Sequence, residues 1–566
     1  MILKRLAEYA DRDSVSSPPA MYASTPIRWF IVLNNQGDVT GWVSSQGEGK
    51  RGLRGEDRTA PTLTRAAGIS PILLADNGEY VLGIARDPAK AERTASAHKA
   101  FVEVVNQCAE KTQLPEILAV KEFLSRWNPD EPSGLPDQFD SGDKISFRIN
   151  ETYPIDLPEV REFWSDYTNT STTRHQCLTC GKVRPVEERI PGKLKGIPGG
   201  QSVGTALISA NANAFESYGL TASLIAPTCR DCAEKFGNAA NALLASKDHC
   251  IRIGPLAYIF WTQDDVGFNP ISFLSQPNSG EVKKLITSAK TGQDHLEVDN
   301  HGFYATAFSA SGGRAVVRDY IETTIEKVKG NLQRWFTMQQ LVDNIGAEGE
   351  PYSIYGMASS LYRDNKDVNK NMVANVPGAL LRSALYGSPL PQWLLFQAVQ
   401  RNRADQGITR PRAVLIKMVL TSVGYFKEGE MVCLDSGNTN PAYLCGRLLA
   451  ELEEIQRRAI PGIKATIIDR YFGTASSAPA TVFGSLLSGA QNHLAKMRKE
   501  QPGSYIGFQR RLEEIMSGLH GFPKTLNLKD QALFSLGYYH QKAQDRADAI
   551  AGKERKNQSQ EGNNNE

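Results

Sequence analysis

This chain has almost no surplus charge of either sign: 64 lysines and arginines face 62 aspartates and glutamates, a formal net charge of +2 over 566 residues. That balance excludes binding of nucleic acid or membrane through overall charge, so any electrostatic footprint has to be local. Histidine is scarce at 8 residues, none of them in a His-x-x-x-His pair, which removes the helical two-histidine zinc motif. No Gly-x-x-x-x-Gly-Lys-Ser/Thr phosphate loop and no Gly-x-Ser-x-Gly nucleophile elbow occurs, and their absence favours a non-enzyme. No apolar run approaches the length of a membrane span. The 8 cysteines are too few for a disulfide framework in a chain of 566 residues. The opening Met1-Ile-Leu-Lys-Arg meets charge too early for a secretory leader, so a cytoplasmic protein is expected. There is no internal repeat. With 41% hydrophobic residues the chain is an ordinary globular protein, too long for one core and expected to hold roughly three or four domains.

Scarce as cysteine is, half of it stands in two knuckles, Cys177-Leu-Thr-Cys180 and Cys229-Arg-Asp-Cys232. Four soft thiolates at this spacing suit a tetrahedral zinc ion. All four positions can be filled by sulfur, so the expected zinc is structural; a catalytic site keeps a position open. Pro227-Thr-Cys229-x-x-Cys232 resembles half of a zinc deaminase signature, but the His-x-Glu partner is missing upstream. His175 and Cys250 lie nearby and are expected to be bystanders. The long interval between the knuckles, carrying Ser209-Ala-Asn211-Ala-Asn213-Ala-Phe-Glu-Ser-Tyr-Gly219, has to form an insertion.

The expected class is α+β, with a mixed N-terminal β-hairpin domain over 1–125, a zinc-knuckle domain over 126–300, a helical connection over 301–430, a helical bundle over 431–552 and a disordered tail over 553–566. One hairpin is predicted from Ile27–Leu33 through Asn34–Asp38 into Val39–Val43. A second is predicted to join Ile72-Leu-Leu to Tyr80-Val-Leu through Asn77-Gly78, a tight primed turn. A helix is predicted over Ala91–Glu110, then a proline-rich linker over Asn128–Pro136. Four bundle helices are predicted. The first starts at the Asn440 cap with Pro441 and shows Leu444, Leu448, Leu452 and Ile455 on one face. Pro479 opens the second, Phe508, Leu512 and Ile515 mark the third, and the fourth runs over Asp530–Ile550.

Three basic clusters are candidates for nucleic acid. Lys50, Arg51, Arg54, Arg58 and Arg65 are spread among glycines; they read either as a solvated surface partly cancelled by Glu56 and Asp57 or as phosphate contacts. Lys182, Arg184, Lys193 and Lys195 follow the first knuckle, and Asn211 and Asn213 could reach base edges. In the bundle, Arg447, Arg457, Arg458, Arg470, Lys496, Arg498 and Arg511 suggest a shallow positive face that tracks a single strand; an ordinary soluble bundle would look the same.

Several segments, in order, carry a resemblance: Gly68-Ile-Ser-Pro-Ile-Leu-Leu-Ala-Asp-Asn77, Leu194-Lys-Gly196, Ser209–Gly219, Gly313-Arg-Ala-Val-Val-Arg-Asp319, Asn440-Pro-Ala-Tyr-Leu-Cys-Gly-Arg-Leu448, Asp469-Arg-Tyr-Phe472 and Leu536-Gly-Tyr-Tyr-His-Gln541. Together they resemble the large subunit of the type I-C CRISPR surveillance complex (Cascade). The resemblance implies a non-catalytic subunit, bound to guide RNA and to the backbone and handle-binding subunits. Such a subunit reads the protospacer-adjacent motif of target double-stranded DNA, supports R-loop formation, holds the displaced strand and recruits a helicase–nuclease. Many members of that family lack the cysteine pairs, so zinc here would be a subgroup staple. The resemblance also implies a small helical subunit made by internal translation; Met431, after Lys427-Glu-Gly-Glu430, is a candidate start. Two other readings are a zinc-ribbon nucleic-acid metalloenzyme and a pure assembly scaffold of a ribonucleoprotein.

Overall fold

The computed structural model describes residues 2–12, 21–45, 47, 54–63, 68–168, 173–210, 212–291, 300–363 and 367–563, side chains at 287–291 and 556–563 aside. The expected α+β class is observed. Two compact units form, one from 1–192 with 208–240, the other from 193–207 with 241–566.

The first unit is built on β2 (Trp29–Leu33), whose five residues are all buried. A strand that is apolar on both faces belongs in the middle of a sheet, and β2 lies between β3 (Val39–Ser44), antiparallel, and β6 (Lys144–Ile149), parallel. The first predicted hairpin is therefore present. β1 (Tyr22–Ile27), which follows the N-terminal helix α1 (Ile2–Ala10), pairs separately with β4 (Glu56–Pro61). The second predicted hairpin is absent. β5 is only Asp76–Asn77, and Asn77 caps a short helix α2 (Gly78–Val81), its side chain accepting from Tyr80 N at 3.2 Å. Buried Asp76 accepts from Ile72 N and holds the approach to the cap. Gly78 is needed for space: a Cβ there would come within 2.8 Å of the Phe139 ring. Asx capping, which uses the same residues as a primed turn, won here.

Helices α3 (Ala91–Thr112) and α4 (Pro115–Arg126) share the apolar core with β2 and β6 through Phe101, Val105, Val120 and Phe123. The proline-rich stretch lies between α4 and β6, inside this unit. After α5 (Pro158–Tyr167) come the short antiparallel strands β7 (Arg174–Gln176) and β8 (Val183–Pro185), and then α6 (Arg230–Ala245).

The second unit opens with the antiparallel sheet β12-β11-β10-β9, formed by Cys250–Ile253 (β9), Leu256–Thr262 (β10), Gly302–Ser311 (β11) and Arg314–Thr324 (β12). Tyr258, Phe260, Phe303 and Ile321 join Ile325, Val328 and Leu332 of α7 (Ile325–Gln339) in one buried cluster. The cluster continues through α8 (Asn375–Tyr386), α9 (Gln392–Asp405) and α10 (Arg410–Ser422) into the C-terminal helices. These are α11 (Pro441–Ala459), α12 (Ile467–Ala475), α13 (Phe483–Glu500), α14 (Pro502–Ser517) and α15 (Leu528–Asn563). The cap at Asn440 is as expected, accepting from Ala442 N and Tyr443 N. Two corrections follow. Asp469-Arg-Tyr-Phe472 forms the additional helix α12, closed by a capping box of Thr466 and Asp469. The segment expected to be disordered from Lys553 continues α15 to Asn563; apart from Gly552 and Gly562, its lysines, glutamates and glutamines tolerate helix.

α11 and α15 cross at glycines that carry two of the resemblance-bearing motifs. A Cβ on Gly446 would stand 2.0 Å from the Phe534 carbonyl oxygen, and one on Gly537 would stand 2.1 Å from that of Tyr443. Backbone cannot rotate away, so Gly446→Ala is expected to cost about 3 kcal/mol, the upper end of overpacking. Gly489→Ala in α13, with nothing within 4 Å, is expected to gain up to about 1 kcal/mol from helix propensity. Thermal midpoints of the two variants should therefore move in opposite directions.

Candidate metal centre and nucleic-acid surfaces

The first knuckle is a turn held between β7 and β8. Cys177 N donates to Lys182 O at 2.9 Å and Gly181 N donates to Cys177 O at 2.8 Å. Gly181 sits at φ +73°, a left-handed position that glycine takes without strain. The second knuckle is a helix start: Cys229 stands before α6 and Cys232 lies in its first turn. Two backbone bonds bring the knuckles together, Leu178 N to Pro227 O and Glu187 N to Thr228 O. Cys229 N points at Cys177 Sγ, 3.4 Å away.

The ligand atoms of Cys177, Cys180, Cys229 and Cys232 all lie within 4.8 Å of one another, and among the described residues no other group of three or more potential ligands comes together. A tetrahedral ion with Zn–S bonds of about 2.3 Å sets its sulfurs about 3.8 Å apart, so the donor set fits zinc. Cys177, Cys229 and Cys232 are buried and Cys180 is exposed. Without an ion one thiolate is favoured. The Cys232 thiol hydrogen bond holds Cys229 down at about 5, with the Cys232 N–H assisting. Cys232 is pushed up because it donates that bond and is buried. His175 and Cys250 stay outside the cluster.

The basic candidates are placed as follows. Lys50, Arg51, Arg65 and Asn211 lie outside the described residues. Arg54 is exposed just before β4. Arg58 is engaged within the fold: its guanidinium stacks 3.7 Å over the Tyr153 ring and pairs with Asp156 at 3.2 Å. Lys182 is exposed in the first knuckle and Arg184 is half-buried on β8. Asn213 is exposed and starts a single helical turn to Phe215. Lys193 and Lys195 are exposed and belong to the second unit.

At one end of the bundle, α11 and α13 finish close together. Lys496 donates to Ala459 O at 2.9 Å, and Arg458 donates to Gln501 at 2.9 Å. Cations at helix C-termini are favoured by the helix dipole, and Arg457, Arg458 and Arg498 occupy the last turns. Arg457 also pairs with Glu453 at 2.7 Å, and Arg470 is exposed beside Tyr471. The positive face has to be corrected for Arg447 and Arg511. Arg447 is 1% exposed and donates to Gln541 at 2.8 Å and Glu514 at 2.7 Å. Arg511 donates to buried Glu451 at 2.7 Å and lies 3.6 Å from Asp545. Arg511 is drawn inward by the buried acids Glu451 and Asp545, and Arg447 by buried Gln541 with Glu514 at the rim, pairings that charge counting along the chain does not reveal.

No helix among the described residues is long and apolar enough to cross a membrane. No curated protein matches the chain. Residues 3–545, nearly the whole chain, match the family described as CRISPR-associated protein (Cas_Csd1). The resemblance-bearing motifs all fall inside the matched residues, and the chain belongs to the Csd1 family of CRISPR-associated proteins, the large subunits of type I-C Cascade.

Proposed function

We propose that this chain is the non-catalytic large subunit of its Cascade, which reads the protospacer-adjacent motif in duplex DNA. In this reading it supports R-loop formation and recruits the helicase–nuclease, in the cytoplasm and beside guide RNA and the other subunits. The family match over residues 3–545 carries the reading. In guided systems base pairing reads the target sequence, and protein reads only a short flanking motif. The motif reader is assigned to the first unit, with Arg51 and Arg54 on phosphates and Asn211 and Asn213 near base edges. Zinc on the four cysteines clasps the insertion that carries those asparagines and takes no part in chemistry. Four thiolate donors within 4.8 Å, leaving no protein-free corner, support that role. The small subunit is assigned to the segment from Met431 onward.

Arg51→Glu with Arg54→Glu is expected to weaken capture of target duplex by the guide-loaded complex at least tenfold and to flatten its salt dependence, since each lost phosphate contact removes counterion release. Gel-shift titration at two salt concentrations measures both. Undiminished capture would leave a scaffold as the better description.

A further inference from the structure

The Gly313–Asp319 motif is not absorbed by the reading above. It forms the β11–β12 hairpin, and its second half leaves the regular ladder. Ala307 pairs with Asp319 and the next residue, Phe308, pairs with Val317, so Arg318 is the extra residue of a β-bulge. Bulges re-aim a side chain and gather near functional sites. Arg318 and its neighbour Asp319, which a regular strand would send to opposite faces, both line one cleft of about 470 Å³.

The rest of that cleft is suited to a flat ring and an anion. Ala307, Gly378 and Ala379 add no bulk, and Trp393 of α9 adds an indole that is 38% exposed. Arg382 of α8 lines it too, its guanidinium 5.1 Å from the centre of the Tyr386 ring. Asp319 is occupied: it pairs with Arg382 and accepts from Tyr258 Oη at 3.2 Å. Arg318 donates to neutral Ser309 Oγ at 2.7 Å. The lining charge is therefore one acid against two arginines. Beyond the cleft, Phe396 stands one turn after Trp393 and is 52% exposed, so an aromatic surface continues along α9. Exposed aromatics beside arginines form the stacking and phosphate contacts of single-strand binders, and the volume lies within the range of ligand pockets.

We propose that this cleft binds single-stranded DNA, with a base stacked on Trp393, the next base on Phe396, and the intervening phosphate on Arg318 and Arg382. The inference rests on the Cascade reading for its occupant, the strand displaced from the target duplex; the cleft geometry does not depend on that reading.

The test uses the purified full chain and a fluorescent oligothymidylate, read by anisotropy, with thymidine monophosphate as competitor. Trp393→Ala and Arg318→Glu are each expected to weaken oligonucleotide binding about tenfold, while Trp393→Phe stays within about twofold. A 4-thiothymidine oligonucleotide is expected to cross-link to the peptide containing Trp393. Parent-like affinity in both disruptive variants would overturn the assignment. So would monophosphate binding as tight as the oligonucleotide's, which would make the ligand a free nucleotide. Capture of target duplex by the guide-loaded complex is measured in parallel. Loss of duplex capture on Arg51→Glu with Arg54→Glu, alongside unaltered single-strand binding in Trp393→Ala, would sink the cleft and leave the Cascade reading standing.

Discussion

Cys177→Ser is expected to release the bound metal and unravel the segment between the two knuckles. Purified parent chain should carry one zinc per molecule by atomic emission, and the variant close to none. The magnitude follows from the construction of the site. Structural zinc supplies on the order of 10 kcal/mol of apparent binding energy. Beyond the cysteines themselves, the two arms are joined by the backbone bonds Leu178–Pro227, Glu187–Thr228 and Ser223–Glu188 and by the Glu187–Arg230 pair at 3.6 Å, each a small contribution beside the metal's. Cys177, Cys229 and Cys232 form a small buried cluster of their own, separate from the two large cores. Losing the ion would leave four sulfurs within 4.8 Å of one another joined only by weak thiol hydrogen bonds. Limited proteolysis should then cut the variant between residues 186 and 226, and a strong chelator should do the same to the parent. A Cys177→Ser protein that keeps its zinc and its melting midpoint would refute the clasp.

The second large effect is expected at Arg511→Leu. Arg511 is the cation beside Glu451, which is 0% exposed, and Asp545, which is almost as deep. Burial pushes the Glu451 carboxyl well up, with repulsion from Asp545 adding to it, and burial pushes Asp545 up as well. Arg511 is the cation that balances these two neighbouring buried acids. Removing one partner from a buried ionic group costs about 3–5 kcal/mol, because the other is left uncompensated. Urea melts followed by far-ultraviolet circular dichroism should show that loss. Glu451→Gln should relieve it: Gln keeps the shape and removes the acid, so the double variant is expected to regain at least half of the lost stability. An equal loss in single and double variants would show that Arg511 acts by packing alone.

What could be read from the chain follows from how local each cause is. The knuckles announce themselves because metal ligation fixes residue type and spacing within four positions. The Asn440–Pro441 start of α11 is legible for the same reason, since cap and first turn lie side by side in sequence. Asn77-Gly78 misleads because one dipeptide serves two local structures, and the choice is made by Phe139 and Ser141, some sixty residues on. Arg447 and Arg511 count as surface charge in the sequence; only the packing of α11, α14 and α15 shows that Arg447 is itself buried against Gln541 and that Arg511 faces the buried acid Glu451. The bulge at Arg318 is invisible for a related reason, because it is defined by the register of the partner strand β11.

The glycine crossing of α11 and α15 bears on the Met431 start. A ribosome that began there would still deliver both halves of the tightest joint in the bundle, Gly446 against Phe534 and Gly537 against Tyr443. The shortened polypeptide would lack α9, with Asn402, which meets Ser535, and the segment after α7, with Val342, whose carbonyl receives the Tyr539 hydroxyl. It would thus emerge with its internal seam closed and bare along the flank that Asn402 and Val342 cover in the full chain.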